Sequence, residues 1–161
     1  VTTPAEDRLA EALALAEHAE REGFRLSGVV LNRMLDEPTF DALTTAPRRM
    51  PGHLRDIAKL RAALGGDSAK DPRLAALVAH FERYAANHRS ELERALRFAR
   101  ELKSPIELIV APEIEMSVRD LRSLARLGGI LTAPVAGRKF LENAALACGV
   151  TQKSPRSGPP R

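Results

Sequence analysis

The chain contains no tryptophan, one tyrosine and one cysteine among its 161 residues, and each scarcity removes a class of function. With no tryptophan and a single tyrosine, a platform for stacking nucleic-acid bases is not expected. Cys148 has no partner for an internal disulfide and cannot supply a multi-cysteine metal site, which suits a reducing cytosol and leaves the thiol structural or inert. No apolar run approaches the roughly 20 residues of a membrane helix, and acids stand near the start where a signal peptide would be basic. A soluble, cytoplasmic protein without direct membrane insertion is expected. No phosphate loop of the form Gly-x4-Gly-Lys-Ser/Thr occurs, nor a Gly-x-Gly-x-x-Gly fingerprint, nor a nucleophile elbow. No two of the four histidines are three or four residues apart, so no helical metal pair is expected, and the metal set is none. Glu113 and Glu115 read as solvated acids before a helix rather than as an acid/base pair.

A 161-residue chain fits one domain and should bury about 70% of its unfolded surface, enough for a core without staples. The formal charge of +4 is local. Arg138, Lys139, Lys153, Arg156 and Arg161 against Glu142 carry all of it, leaving 20 bases and 20 acids in the preceding body. A balanced body offers no phosphate-tracking stripe, so nucleic acid is not an expected partner.

Thr3 is placed to cap a helix, Pro4 to begin it, and Leu9, Leu13, Ala16 and Ala19 recur at helical spacing towards Glu22. Gly23 supplies a left-handed stop. Two short apolar runs, 26–31 and 106–111, lack the alternation of a half-exposed sheet and suit buried parallel strands. If Val1 and Thr2 end an earlier strand, the opening is β-α-β and Val1 lies at the edge of a larger sheet.

From Met34 to Lys70 the prolines 38, 47 and 51 and the glycines 52, 65 and 66 break the pattern, leaving one short helix near Leu54 to Leu64. Asp71 to Lys103 then keeps three-and-four spacing through Leu74, Leu77, Phe81, His88, Leu92 and Leu96, bounded by Asp71-Pro72 and Ser104-Pro105. Unbroken, it would span roughly 50 Å, so it projects from the sheet or is kinked. A loop from Pro112 to Met116, a Ser117 cap, a leucine stripe ending at Gly128-Gly129, a short helix from Arg138 to Cys148 and a disordered tail from Thr151 complete the reading.

Thr2-Thr3-Pro4-Ala5-Glu6 before a helix, then Leu26-x-Gly28-Val29-Val30-Leu31-Asn32-Arg33, a helical insertion, a strand ending in Pro112 and a leucine-rich helix follow one another in a telling order. Over Val1 to about Thr132, this order resembles the C-terminal half of the ArsA-type ATPases. These are the arsenite-pump and tail-anchored-protein-targeting branch of the P-loop NTPases, also called anion-transporting ATPases, which work as dimers or pseudo-dimers. The resemblance implies an α/β, helix-rich fold: the C-terminal part of a parallel sheet, with strands near 1–3, 26–32 and 106–111. Residues 1–33 and 104–150 would form the nucleotide-binding core, 34–103 a helical insertion and 151–161 a tail.

The resemblance further implies that Asn32 reads the adenine edge, that the loop from Pro112 closes over the base, and that Arg33 and Glu113 lie nearby. Spacing alone favours ordinary strand punctuation at Asn32 and Pro112; the resemblance reverses that preference. The implied ligand is ATP or ADP, with Mg²⁺ held by an N-terminal half that these residues do not include. The parent would be a hydrolase acting on ATP, yet no hydrolysis is expected from this chain alone, because phosphoryl transfer is mostly positioning and electrostatics by the missing groups. Two departures stand out. Cys148 alone cannot bind a metalloid, and Met50, with Met34 at the insertion's first position, does not make the Met-rich groove of a client-targeting member. A membrane-protein or client partner therefore has no direct support in these residues. The competing expectation is a non-enzymatic helical interaction module, and a weaker one is a regulatory subunit lending its adenine loop to a P-loop chain.

Overall fold

The computed structural model describes residues 1–46, 49, 59, 62, 72–103, 106–114, 120–132 and 137–150. Their order is α1 (Glu6–Arg21), β1 (Gly28–Leu31), α2 (Glu37–Thr45), α3 (Pro72–Glu101), β2 (Glu107–Val110), α4 (Leu121–Leu131) and α5 (Gly137–Ala147). The chain is thus a helix-rich α/β structure.

β1 and β2 pair in parallel, with Val29 beside Leu108 and Leu31 beside Val110. These four side chains share one face and are buried, whereas Val30 and Ile109 on the other are half-buried. Thr2 makes a parallel bridge to Leu31 from the opposite side of β1, its N–H donating to the Val30 carbonyl at 2.9 Å. The strand expected near residues 1–3 is reduced to this single bridge, so the sheet has two strands, each shorter than its apolar run.

α1 ends as expected. Gly23 takes φ +78°, its N–H donates to the Glu20 carbonyl, and the Phe24 N–H reaches back to Ala19, so the last-turn carbonyls are satisfied. Its start differs: Ala5 is the N-cap with no side-chain cap bond, and the Thr3 cap is not used. The Thr2 hydroxyl donates instead to the Arg8 carbonyl at 2.9 Å. Thr2 is held in the bridge to β1, and the chain needs two further residues to turn into the helix.

α2 was not expected. Pro38 reads as a breaker in sequence, yet it lies in the first turn of α2, where a missing N–H costs nothing and its fixed φ favours the helix. The expected helix at 54–64 lies outside the described residues apart from Lys59 and Ala62, whose backbone is helical. Gly128 and Gly129 also correct the reading. α4 runs through both to Leu131, and Thr132 closes the end by donating its N–H and hydroxyl to the Gly128 carbonyl at 3.0 and 2.8 Å. Two helical glycines cost roughly 1 kcal/mol each relative to alanine, which a single helix can absorb. The expected Ser117 cap and the tail from Thr151 lie outside the described residues. Asp120 performs the capping: its carboxylate accepts from the Ser123 N–H at 2.7 Å, and these bonds hold its carboxyl below the usual range.

The core gathers where α3 and α5 meet the strands. α3 buries Ala85, His88, Leu92, Ala95, Leu96, Phe98 and Ala99, so its C-terminal half belongs to the core while the part before Ala85 is largely exposed. The projection expected of the long helix is confined to that first half. α5 contributes Phe140, Leu141, Ala144 and Ala145, packs on β2 and α3, and stacks Phe140 against Phe40 of α2 with centroids 4.7 Å apart. Cys148 is buried beside it, and desolvation pushes its thiol pKa up, consistent with a structural thiol. Arg138, counted above within the basic excess, donates to the Ala99 carbonyl and, at 2.8 Å, to that of Leu102, capping α3 with a cation at its negative end. Among the described residues no helix is long and apolar enough to cross a membrane.

Candidate functional site

Parallel strands bring their carboxyl ends to one side, and that is where open α/β sheets place ligands. Here that side carries both exits singled out in sequence. The ladder continues past β1 and β2: the Ala111 N–H donates to the Leu31 carbonyl, Met34 to Ala111 and Glu113 to Leu35, at 2.9, 2.9 and 2.7 Å. Asp36 then bridges Glu113.

Between the Leu31–Val110 pair and the Asp36–Glu113 bridge, the first segment is two residues longer than the second. The excess is absorbed by two left-handed residues, Arg33 (φ 58°) and Leu35 (φ 65°). Neither is glycine, so each costs about 1 kcal/mol or more. Leu35 is fully buried and offsets its strain by packing, but Arg33 is exposed. Its guanidinium reaches across 80 residues of sequence and donates to Glu113 Oε1 through both Nη2 and, at 3.0 Å, Nε. Both partners are about half exposed or more, so this ion pair contributes at most about 1 kcal/mol.

The four expected site residues therefore lie together, in unequal roles. Asn32 is half-buried, with its N–H donating to the Thr2 carbonyl at 2.8 Å, and its side chain carries a donor and an acceptor together. Arg33 and Glu113 form the exposed lip. Pro112 is fully buried and presents no ring face to a ligand. The sequence holds no phosphate loop for a triphosphate and its Mg²⁺. Among the described residues no cluster of His, Cys, Asp and Glu could hold a metal ion.

Directly behind the lip is a polar cluster that sequence reading missed. Asp36 faces His88 of α3, with Oδ1 and Nε2 3.3 Å apart, and Glu91 Oε2 lies 3.4 Å from Nδ1 of the same ring. Tyr84 packs edge-on to His88 at 4.3 Å. Its phenol pKa is pushed up to about 12, first by burial and then by hydrogen bonding to the Asp36 carboxylate, with Thr39 opposing in part. A raised phenol pKa stabilises the fold fully below about pH 10, and that contribution disappears as pH rises towards 12. Because Tyr84 is the only tyrosine, its phenolate absorbance can be followed directly. The native chain should titrate near 12 and the urea-unfolded chain near 10; coincident curves would disprove the buried contact. The sequence signal was His88 on an apolar stripe with Tyr84 four before and Glu91 three after.

A groove of about 160 Å³ also lies between α1 and α3, lined by Leu13, Phe24, Leu26, Leu102 and Ile106. It sits at the amino ends of the strands, remote from Asn32 and Glu113, and the carboxyl-end site is favoured on topology.

Fold and site together define a helix-rich α/β protein whose two strand exits meet at the carboxyl end of a parallel pair. Set against family models, curated proteins and solved structures, the chain matches none of them.

Proposed function

We propose that the paired strand exits form the base-recognition side of a nucleotide site in an ArsA-type ATPase unit, with ATP or ADP as ligand. The observation that carries this reading is the meeting of Asn32-Arg33 with Pro112-Glu113 at the carboxyl ends of neighbouring parallel strands, fastened by the Arg33–Glu113 ion pair. Strain at Arg33 supports it, because left-handed non-glycine residues concentrate where a ligand needs a preset backbone. In such a unit Asn32 pairs with the adenine edge, and Arg33 and Glu113 border the base. Hydrolysis needs a phosphate loop and Mg²⁺ ligands from outside these residues, which a second polypeptide segment or a dimer partner would supply in the cytosol. α3 would couple the site to a client.

The test is an amide NMR titration of the 161-residue chain with ATP. Shifts should centre on residues 31–35 and 111–114, and Asn32→Ala should weaken binding about tenfold through the loss of its paired hydrogen bonds. Equal affinity in the variant, or shifts centred elsewhere, would refute the assignment.

A non-enzymatic interaction module is favoured by a different observation. Leu77 on the projecting half of α3 is 44% exposed, and Leu121 and Leu124 on α4 are 84% and 55% exposed. In that case partner addition, not ATP, would protect α3 from amide exchange.

A further inference from the structure

On α3, Ala85, Leu92 and Ala95 are buried near His88, while Tyr84 packs edge-on to its ring. Leucine would match the aliphatic neighbours but leave the buried Asp36 Oδ1 facing an apolar side chain. The imidazole, its side chain only 9% exposed, has instead a carboxylate against each nitrogen. Asp36 and Glu91 take opposite nitrogens of the ring, so the three cannot close on a single cation. Their geometry is that of a ring held between two acceptors.

One of these contacts is unfinished. Asp36 Oδ1 and His88 Nε2 are both shielded from solvent and face each other at 3.3 Å without an aligned hydrogen bond. Asp36 is also the residue that ends the strained loop. It makes the parallel bridge to Glu113, and it is the N-cap position of α2. A shift of the Asp36 backbone moves its carboxylate relative to His88, so the contact links the Asp36–Glu113 bridge at the strand exits to α3.

We infer that His88 is a positioning residue: through Asp36 it sets the conformation of both strand exits and ties that site to the setting of α3. The link from loop to ligand rests on the nucleotide reading above; the control of the loop by His88 does not. A bond that is unaligned in one state is one that a shift of the loop makes or breaks. Binding at the lip and displacement of α3 are then two sides of one equilibrium, since coupling between sites is reciprocal.

The experiment is amide hydrogen exchange on the full chain, with and without ATP, in wild type, His88→Leu and His88→Gln. Leucine keeps the packing and removes the donor, whereas glutamine places an amide N–H near the Nε2 position. The reporters are the Met34 and Glu113 amides, which donate to Ala111 and Leu35, with the Glu107 amide, donating to Ser27 at the amino end of the ladder, as the internal control. His88→Leu should lower protection at Met34 and Glu113 about tenfold relative to Glu107, and His88→Gln should recover most of it. ATP affinity should follow the same order. Equal protection in all three proteins, or a glutamine variant as open as the leucine one, would overturn the inference. If ATP perturbs nothing while the leucine–glutamine contrast holds, the nucleotide reading fails and the positioning role stands. If ATP binds and the contrast is absent, the reverse is true.

Discussion

Gly137→Ala should destabilise the protein by about 3 kcal/mol, towards the upper end of what overpacking usually costs. An alanine Cβ there would lie 2.2 Å from the Leu108 carbonyl oxygen, 2.9 Å from its carbon and 3.1 Å from Val110 Cγ2. The first two obstacles are the backbone of β2, which is locked into its ladder with β1 and cannot swing aside as the end of a flexible side chain could. α5 must retreat instead, and it carries Phe140, Leu141, Ala144 and Ala145 into the core and packs on α2, α3 and β2. Alanine is the better helix former by about 1 kcal/mol, so propensity alone predicts the opposite sign. A domain of this size loses roughly 2–4 °C in Tm per kcal/mol, giving an expected fall of about 10 °C by circular dichroism. Gly128→Ala and Gly129→Ala are the controls, since nothing lies within 4 Å of either added methyl group, and they should be neutral or stabilising by up to about 1 kcal/mol. If all three substitutions behave alike, the close approach of α5 to β2 is wrong.

Features fixed by local chemistry were legible in the sequence. The stop at Gly23 needs only a left-handed glycine, and the parallel strands show as two short apolar runs, each at the carboxyl side of a helical stretch. Reading failed where one residue type has two local meanings. Pro38 breaks a helix interior but begins α2, and paired glycines stop helices yet continue through α4 because Asp120 and Thr132 secure its two ends. At the site, Asn32-Arg33 and Pro112-Glu113 were visible as separate exits. That Arg33 and Glu113 grip one another, and that Pro112 is buried behind them, depends on the register of two strands separated by most of the helical segment. Asp36 was hidden for the same reason. It lies in a stretch whose prolines masked a helix, and its partner His88 comes from α3, 52 positions away by numbering.

Along α3 the same substitution should have very different consequences, and the contrast decides what the helix is for. Leu92 is fully buried beside His88, and Leu92→Ala should cost about 3 kcal/mol, through lost transfer energy plus the cavity left among rigid neighbours. Leu77 lies on the same helix at 44% exposure, and Leu77→Ala should change stability by no more than about 0.5 kcal/mol. Both replacements carry the same change in helix propensity, so their difference isolates burial. Urea denaturation with an unchanged m-value is the appropriate measurement. A near-equal pair of midpoint shifts would mean that the first half of α3 is packed as firmly as the second and has no freedom to respond to the strand exits. The expected inequality means that the core grips the helix only from Ala85 onward. His88 lies just inside that boundary, so Asp36 meets α3 where its packed half begins.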